Sequence, residues 1–323
     1  MKYFGLQSQI WRNNRNSVII LLMFPLVFCV LTWLFFFFMT IGKSHDAGGY
    51  DQYNLFETVN FGFLRTIPWI TIGVLVWFII AYFSHSTMIS AATSSKPLER
   101  KENKRVYNLV ENLCIQTGTT MPKVNIIEDD SLNAFASGID NKTFTISLSR
   151  GIINKLDDQE LEAVIAHELT HIRNRDVRLL IISIIFVGIF AFISEALFRS
   201  LRFGSLGRGG GKKGGNGMAV IIALLLALVG YLVASLFRFA LSRKREYLAD
   251  AGSAELTRNP RALASALKKV SADPTIEAVE RKDIAQMFIE NPQLGNKKFS
   301  VSVSSLFATH PPIQKRIEIL ENF

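Results

Sequence analysis

Residues 164–174 read VIAHELTHIRN, with His167 and His171 four positions apart and Glu168 directly after the first. On a helix of 3.6 residues per turn that spacing sets the two imidazoles about 40° apart, so both reach one ion. Glu168 stands off their line. It cannot share their coordination, but it can reach a water on the open side of the ion. Ligands, an open position and a carboxylate base are what a hydrolytic zinc site requires. Such a site takes three protein ligands, and no third histidine follows His171 closely enough to complete the H-E-x-x-H-x-x-G-x-x-H pattern. A carboxylate is the alternative. The stretch RKREYLADAGSAEL offers Glu246 and Asp250, four apart and therefore on one helical face. Glu246 could ligate zinc while Asp250 hydrogen-bonds a ligand histidine from behind. Both could equally belong to a solvated face beside Arg243 and Lys244, and spacing does not separate these readings.

The elements that must carry these residues are legible in part. Asp157 with Glu160 three residues on is a capping-box pattern, and it opens a helix whose apolar side holds Leu161, Val164, Ile165 and Leu169. Upstream, Arg100 to Cys114 has the period of an amphipathic helix. Lys123–Glu128, Asn133–Ser137 and Thr143–Ser149 read as short strands. Downstream, Asn259-Pro260 reads as an N-cap and first helical residue.

Around this polar material lie four apolar runs: Val18–Ile41, Thr66–Phe83, Leu179–Leu197 and Met218–Phe239. The first is long enough to cross a hydrocarbon core of about 30 Å, the second is near the lower limit for spanning, and the length of the last two favours crossing. Half of the chain, 49%, is hydrophobic, and the mean hydropathy is +0.24. The net charge of +9, from 36 basic and 27 acidic residues, sits beside the apolar runs, where lipid headgroups would meet it. No basic stripe with interleaved aromatics is present, which argues against nucleic acid as a partner. Cys29 lies in an apolar run and Cys114 in a polar region, so no disulfide is expected. The first run is too long for a cleaved signal peptide and reads as an uncleaved anchor.

HELTH, a membrane hairpin and then EYLAD resemble the M48 family of membrane zinc metalloproteases, and within it the HtpX-like branch. NAFA at 133–136, RNRD at 173–176, ATHPP at 308–312 and the following Arg316 extend the resemblance over nearly the whole chain. The resemblance implies an α-helical membrane protein with an α+β zincin domain of the gluzincin type. It implies about four transmembrane helices and a small antiparallel or mixed sheet. It makes Glu246 the third ligand of one Zn2+ per chain and Asp250 its supporting partner. It makes Asn133, Ala134, Phe135 and Ala136 an edge strand on which substrate backbone adds. It gives His310 an oxyanion-stabilising role, although before Pro311 and Pro312 it could as well be a helix N-terminal residue. Arg316 becomes a site-supporting residue.

The organisation expected is an N-terminal membrane hairpin at 1–85, the first part of the catalytic domain at 86–178, a second hairpin with a Gly-rich basic loop at 179–240, and the second part at 241–323. Zinc coordination requires His167, His171 and Glu246 to share one compartment, so the chain between them crosses an even number of times. Lys2, Arg12 and Arg15 before the first run, and Lys96 to Arg105 after the second, place the N-terminus and the site in the cytoplasm of a multi-pass inner-membrane protein, with residues 42–65 outside. His45 is then on the wrong side to serve the site. Loop 198–217 carries five cations and no acid, against the positive-inside tendency. Either the second hairpin crosses fully, which its length favours, or it lies on the membrane surface. Glu195 near the end of the third run would snorkel to the interface. The implied activity is endoproteolysis of misfolded or damaged membrane proteins in quality control. A prenyl-peptide protease of the same family would have more membrane helices, and an inactive scaffold would normally lose Glu168. A transporter would place charges at mid-membrane, where these runs have almost none.

Overall fold

The capping box forms as its spacing predicts. The Asp157 carboxylate accepts the Glu160 amide at 2.9 Å, and the Glu160 carboxylate accepts the Asp157 amide at 3.0 Å. In the computed structural model, which describes residues 6–46, 52–203, 215–240, 243–271, 288–289 and 311–323, this cap opens the central helix. The helices in chain order are α1 (Leu6–Asp46), α2 (Gln52–Thr93), α3 (Lys104–Thr117), α4 (Arg150–Lys155), α5 (Asp158–Arg173), α6 (Asp176–Phe203), α7 (Gly215–Ala240), α8 (Arg243–Thr257), α9 (Pro260–Val270) and α10 (Ile313–Glu321). The strands are β1 (Ser95–Pro97), β2 (Lys123–Ile127), β3 (Ala134–Ser137) and β4 (Thr145–Ser149). Two units are formed. One gathers Met1–Ser17, Ser84–Ile184 and Arg238–Phe323; the other gathers Val18–Phe83 and Ile185–Phe237.

In the first unit the sheet order is β1-β2-β4-β3. β2 and β4 are parallel, and the outer pairs are antiparallel, so of the two arrangements expected the sheet is the mixed one. α5 packs on β3 and β4 and on α3, α8 and α9. That enclosure explains why eleven of its residues, His167 and Glu168 among them, are buried. α9 is tied to the start of α5. Lys269 Nζ and Ser265 Oγ donate to the two Glu160 oxygens at 2.6 and 2.7 Å, and Asn259, which caps α9, donates to Gln159 at 3.0 Å. α8 lies close against α5 because Gly252 has no side chain. A Cβ there would stand 2.4 Å from Thr170 Cγ2. Ser253 Oγ adds a 2.6 Å bond to the Ala163 carbonyl.

The second unit contains most of the apolar runs. Among the described residues, the helices long and apolar enough to cross a membrane are Ile10–Gly42, Leu55–Thr93, Asp176–Arg199 and Met218–Ser235. Phe24 meets Phe186 at 4.6 Å between ring centroids and Phe28 stacks on Phe190 at 4.8 Å, which joins the first and third of these helices. Gly230 lets the fourth approach the Phe190 ring, which a Cβ would meet at 2.3 Å. Glu195 bonds Arg199 one turn on, at 2.7 Å.

Several boundaries differ from those expected. α3 begins at Lys104 rather than Arg100, because the Asn103 side chain takes the cap by accepting the Val106 amide. It runs on to Thr117, where Gly118 at φ 62° closes it. The second membrane helix extends well beyond Thr66–Phe83 at both ends, since no stop signal flanks the run before Ser94 at φ 52°. Asn133 precedes β3, its side-chain oxygen turned onto the Ala134 amide at 3.0 Å. β1 and α4 were not anticipated; three and six residues are too few to show a period.

Candidate metal centre

α5 and α8 bring His167, His171 and Glu246 together. The two Nε2 atoms lie 3.2 Å apart. Glu246 Oε2 is 3.6 Å from His167 Nε2, and its Oε1 is 3.6 Å from His171 Nε2. Tetrahedral ligands about 2.0–2.1 Å from one zinc ion stand about 3.3–3.4 Å from each other, so the triangle fits such an ion.

The other ring nitrogens lie next to carboxylates. His167 Nδ1 is 3.1 Å from Asp250 Oδ1, and His171 Nδ1 is 3.2 Å from Asp176 Oδ2. Where both Nδ1 atoms carry the ring hydrogen, two Nε2 lone pairs face one another. That arrangement is repulsive until a cation or proton lies between them. Burial alone would push the His167 pKa down. The Asp250 and Glu246 carboxylates outweigh it and hold the metal-free imidazole at about 9. Burial likewise pushes Asp250 up, but the Arg316 guanidinium and His167 override it and hold the carboxyl below its usual value.

Arg316, fully buried in α10, grips Asp250 with both arms of its fork, Nε to Oδ2 at 2.9 Å and Nη2 to Oδ1 at 2.7 Å. Its third nitrogen donates to the Ile289 carbonyl at 3.2 Å. Of the two readings left open for Glu246 and Asp250, the solvated face is excluded: both are buried and both face α5.

Glu168 is 2% exposed, and burial pushes its carboxyl up, with the Glu246 charge adding to the shift. Its carboxylate is hydrogen-bonded to the Ala136 amide, so the outer edge of β3 borders the histidine pair directly. That edge is partly occupied by the chain itself. Phe288 pairs antiparallel with Phe135, and the Ile289 amide donates to the Ala134 carbonyl at 2.8 Å. His310 lies outside the described residues. Sequence reasoning gave Asp176 no role. It follows the end of α5, where Arg175 at φ 62° breaks the helical period, so spacing could not align it with His171.

A buried and a half-buried histidine with a carboxylate, next to a sheet edge in a chain with four membrane-length helices among its described residues, is the arrangement of a membrane metalloprotease. Residues 100–323 match peptidase family M48, and the chain belongs to that family, as HELTH and EYLAD implied. It is 58% identical to "Protease HtpX homolog" of Bacteroides fragilis (strain YCH46) over the full length of both chains. It is 37% identical to the protein of the same description from Listeria monocytogenes serotype 4a (strain HCC23), over 98% of this chain and 99% of that one. A solved structure, that of S. mikatae Ste24p, aligns with a TM-score of 0.47 and 20% identity over 96% of this chain and 66% of that chain.

Proposed function

We propose that the chain is a zinc endopeptidase that cuts misfolded or damaged membrane proteins at the cytoplasmic face of the inner membrane. The observation that carries this reading is the His167–His171–Glu246 triangle with Glu168 beside it. When bound there, zinc supplies Lewis-acid chemistry, polarising the scissile carbonyl and making water acidic enough to attack near neutral pH. Glu168 takes the proton of the attacking water and returns it to the leaving amine. The upward push that burial gives its carboxyl suits a group that must hold a proton between those two events. Asp250 and Asp176 fix the imidazoles, and Arg316 keeps Asp250 ionised.

Substrate backbone adds along β3 at Ala134 and Phe135 in place of residues 288–289, which hold that edge here, with Ala136 meeting Glu168. The pairing of residues 288–289 with Ala134 and Phe135 supports an edge that accepts an antiparallel strand. His310 would stabilise the oxyanion. The cytoplasmic assignment rests on the basic residues before the first span and after the second.

The test is Glu168→Gln in detergent-purified protein with an unfolded substrate. Zinc content should stay at one per chain while cleavage falls by about 10²–10⁴-fold. Full cleavage by a zinc-loaded Glu168→Gln protein would overturn the mechanism.

A further inference from the structure

We propose that Asn13, near the start of the first membrane-length helix, is a positioning residue of the metal centre. It holds Asp176 so that His171 presents Nε2 to the ion. The inference rests on the zinc reading above.

Asn13 is 6% exposed and lies 163 positions before Asp176 in the chain. Its amide nitrogen donates to the Asn174 carbonyl at 2.8 Å and to Asp176 Oδ1 at 2.6 Å. Asn174 caps the C-terminus of α5 and Asp176 opens α6, so one side chain spans the break between the helix of the histidines and the helix that follows. The residue between them, Arg175, sits at φ 62°. A side chain other than glycine adopts that conformation when its surroundings hold it there. The reversal turns Asp176 back toward α5, where its second oxygen reaches His171 Nδ1 at 3.2 Å.

The two histidines therefore have parallel supports. His167 faces Asp250, which is held by Arg316 from α10. His171 faces Asp176, which is held by Asn13 from α1. The supports differ in charge. Arg316 is a cation on a carboxylate that it keeps ionised, whereas Asn13 orients Asp176 without adding charge. A neutral donor leaves the Asp176 charge to act on His171 and its ligand basicity. The amide also has two hydrogens on one nitrogen, which lets it serve both acceptors at once.

Zinc affinity, measured by competition with a chromophoric chelator on the full-length protein in detergent, tests the inference. Asp176→Ala should lose about 10- to 100-fold, and Asn13→Ala about tenfold, the lower end of that range. In protein loaded with cobalt, Asn13→Ala should shift the visible ligand-field bands. In an Asp176→Ala background, Asn13→Ala should cost no further zinc affinity, because its target is gone. Asn13→Asp keeps the shape and removes both donors, so it should lose at least as much as Asn13→Ala and covers the case in which the smaller side chain fails to fold. Wild-type zinc affinity in a folded Asn13→Ala or Asn13→Asp protein overturns the inference, as does an undiminished effect of Asn13→Ala when Asp176 is already alanine. Wild-type protein that binds no zinc, or a His171→Ala variant that binds it as tightly as wild type, would instead overturn the zinc reading itself.

Discussion

Asp250 is the residue on which most of the buried electrostatics converge. It faces His167 on one side and accepts the whole fork of Arg316 on the other. Arg316→Met would leave its carboxylate buried without its guanidinium, a change that costs about 3–5 kcal/mol. Thermal unfolding in detergent should show a large loss of stability, and the purified variant should hold less zinc. His167, Glu168 and His171 were legible because their spacing lies within one helix, where geometry follows from sequence. By spacing, Glu246 and Asp250 were legible only as a pair four residues apart, which any surface helix can carry, and the family resemblance supplied their roles. Their burial against α5 is a tertiary fact. Asp176 was hidden by the left-handed Arg175, and Asn13 by its distance along the chain.

The helices α5, α8 and α9 set the precision of the site, and their joints are open to mutation. Glu160 closes the capping box and receives Lys269 and Ser265 from α9. Burial would raise its carboxyl, but these hydrogen bonds outweigh it and hold its pKa below the ordinary 4.5. A depressed pKa contributes stability that is fully present above 4.5 and is lost as pH falls through the folded value. Unfolding measured from pH 7 down to pH 3 should therefore show a steeper acid loss in wild type than in Glu160→Gln. Gly252→Ala inserts a methyl into the α5–α8 contact at Thr170, where overpacking typically costs about 1–3 kcal/mol. The same shift moves Glu246 away from the histidines, so zinc affinity should fall along with the melting temperature. At this scale the capped and strongly periodic elements were readable from sequence. β1 and α4 were not, and the end of α3 was set by Gly118 rather than by its apolar period.

Across the whole molecule, the chain leaves the first unit after α5 and returns to it with α8, passing through two membrane-length helices between. The even number of runs was readable from hydropathy, because apolar length is a local property. The return of α8 onto α5 was not, because that pairing depends on Gly252, Ser253 and Thr170 meeting across the hairpin. A metal that bridges α5 and α8 must then stabilise the fold by mass action. Free zinc at a thousandfold excess over its Kd should add about 4 kcal/mol, read as a chelator-reversible rise in melting temperature. The most direct measurement is zinc stoichiometry together with X-ray absorption on wild-type and Glu246→Ala protein. Wild type should hold one zinc per chain with two imidazole nitrogens at about 2.0–2.1 Å, and folded Glu246→Ala should lose most of the metal and all cleavage. A Glu246→Ala protein that keeps wild-type zinc and activity would contradict a site built across the hairpin.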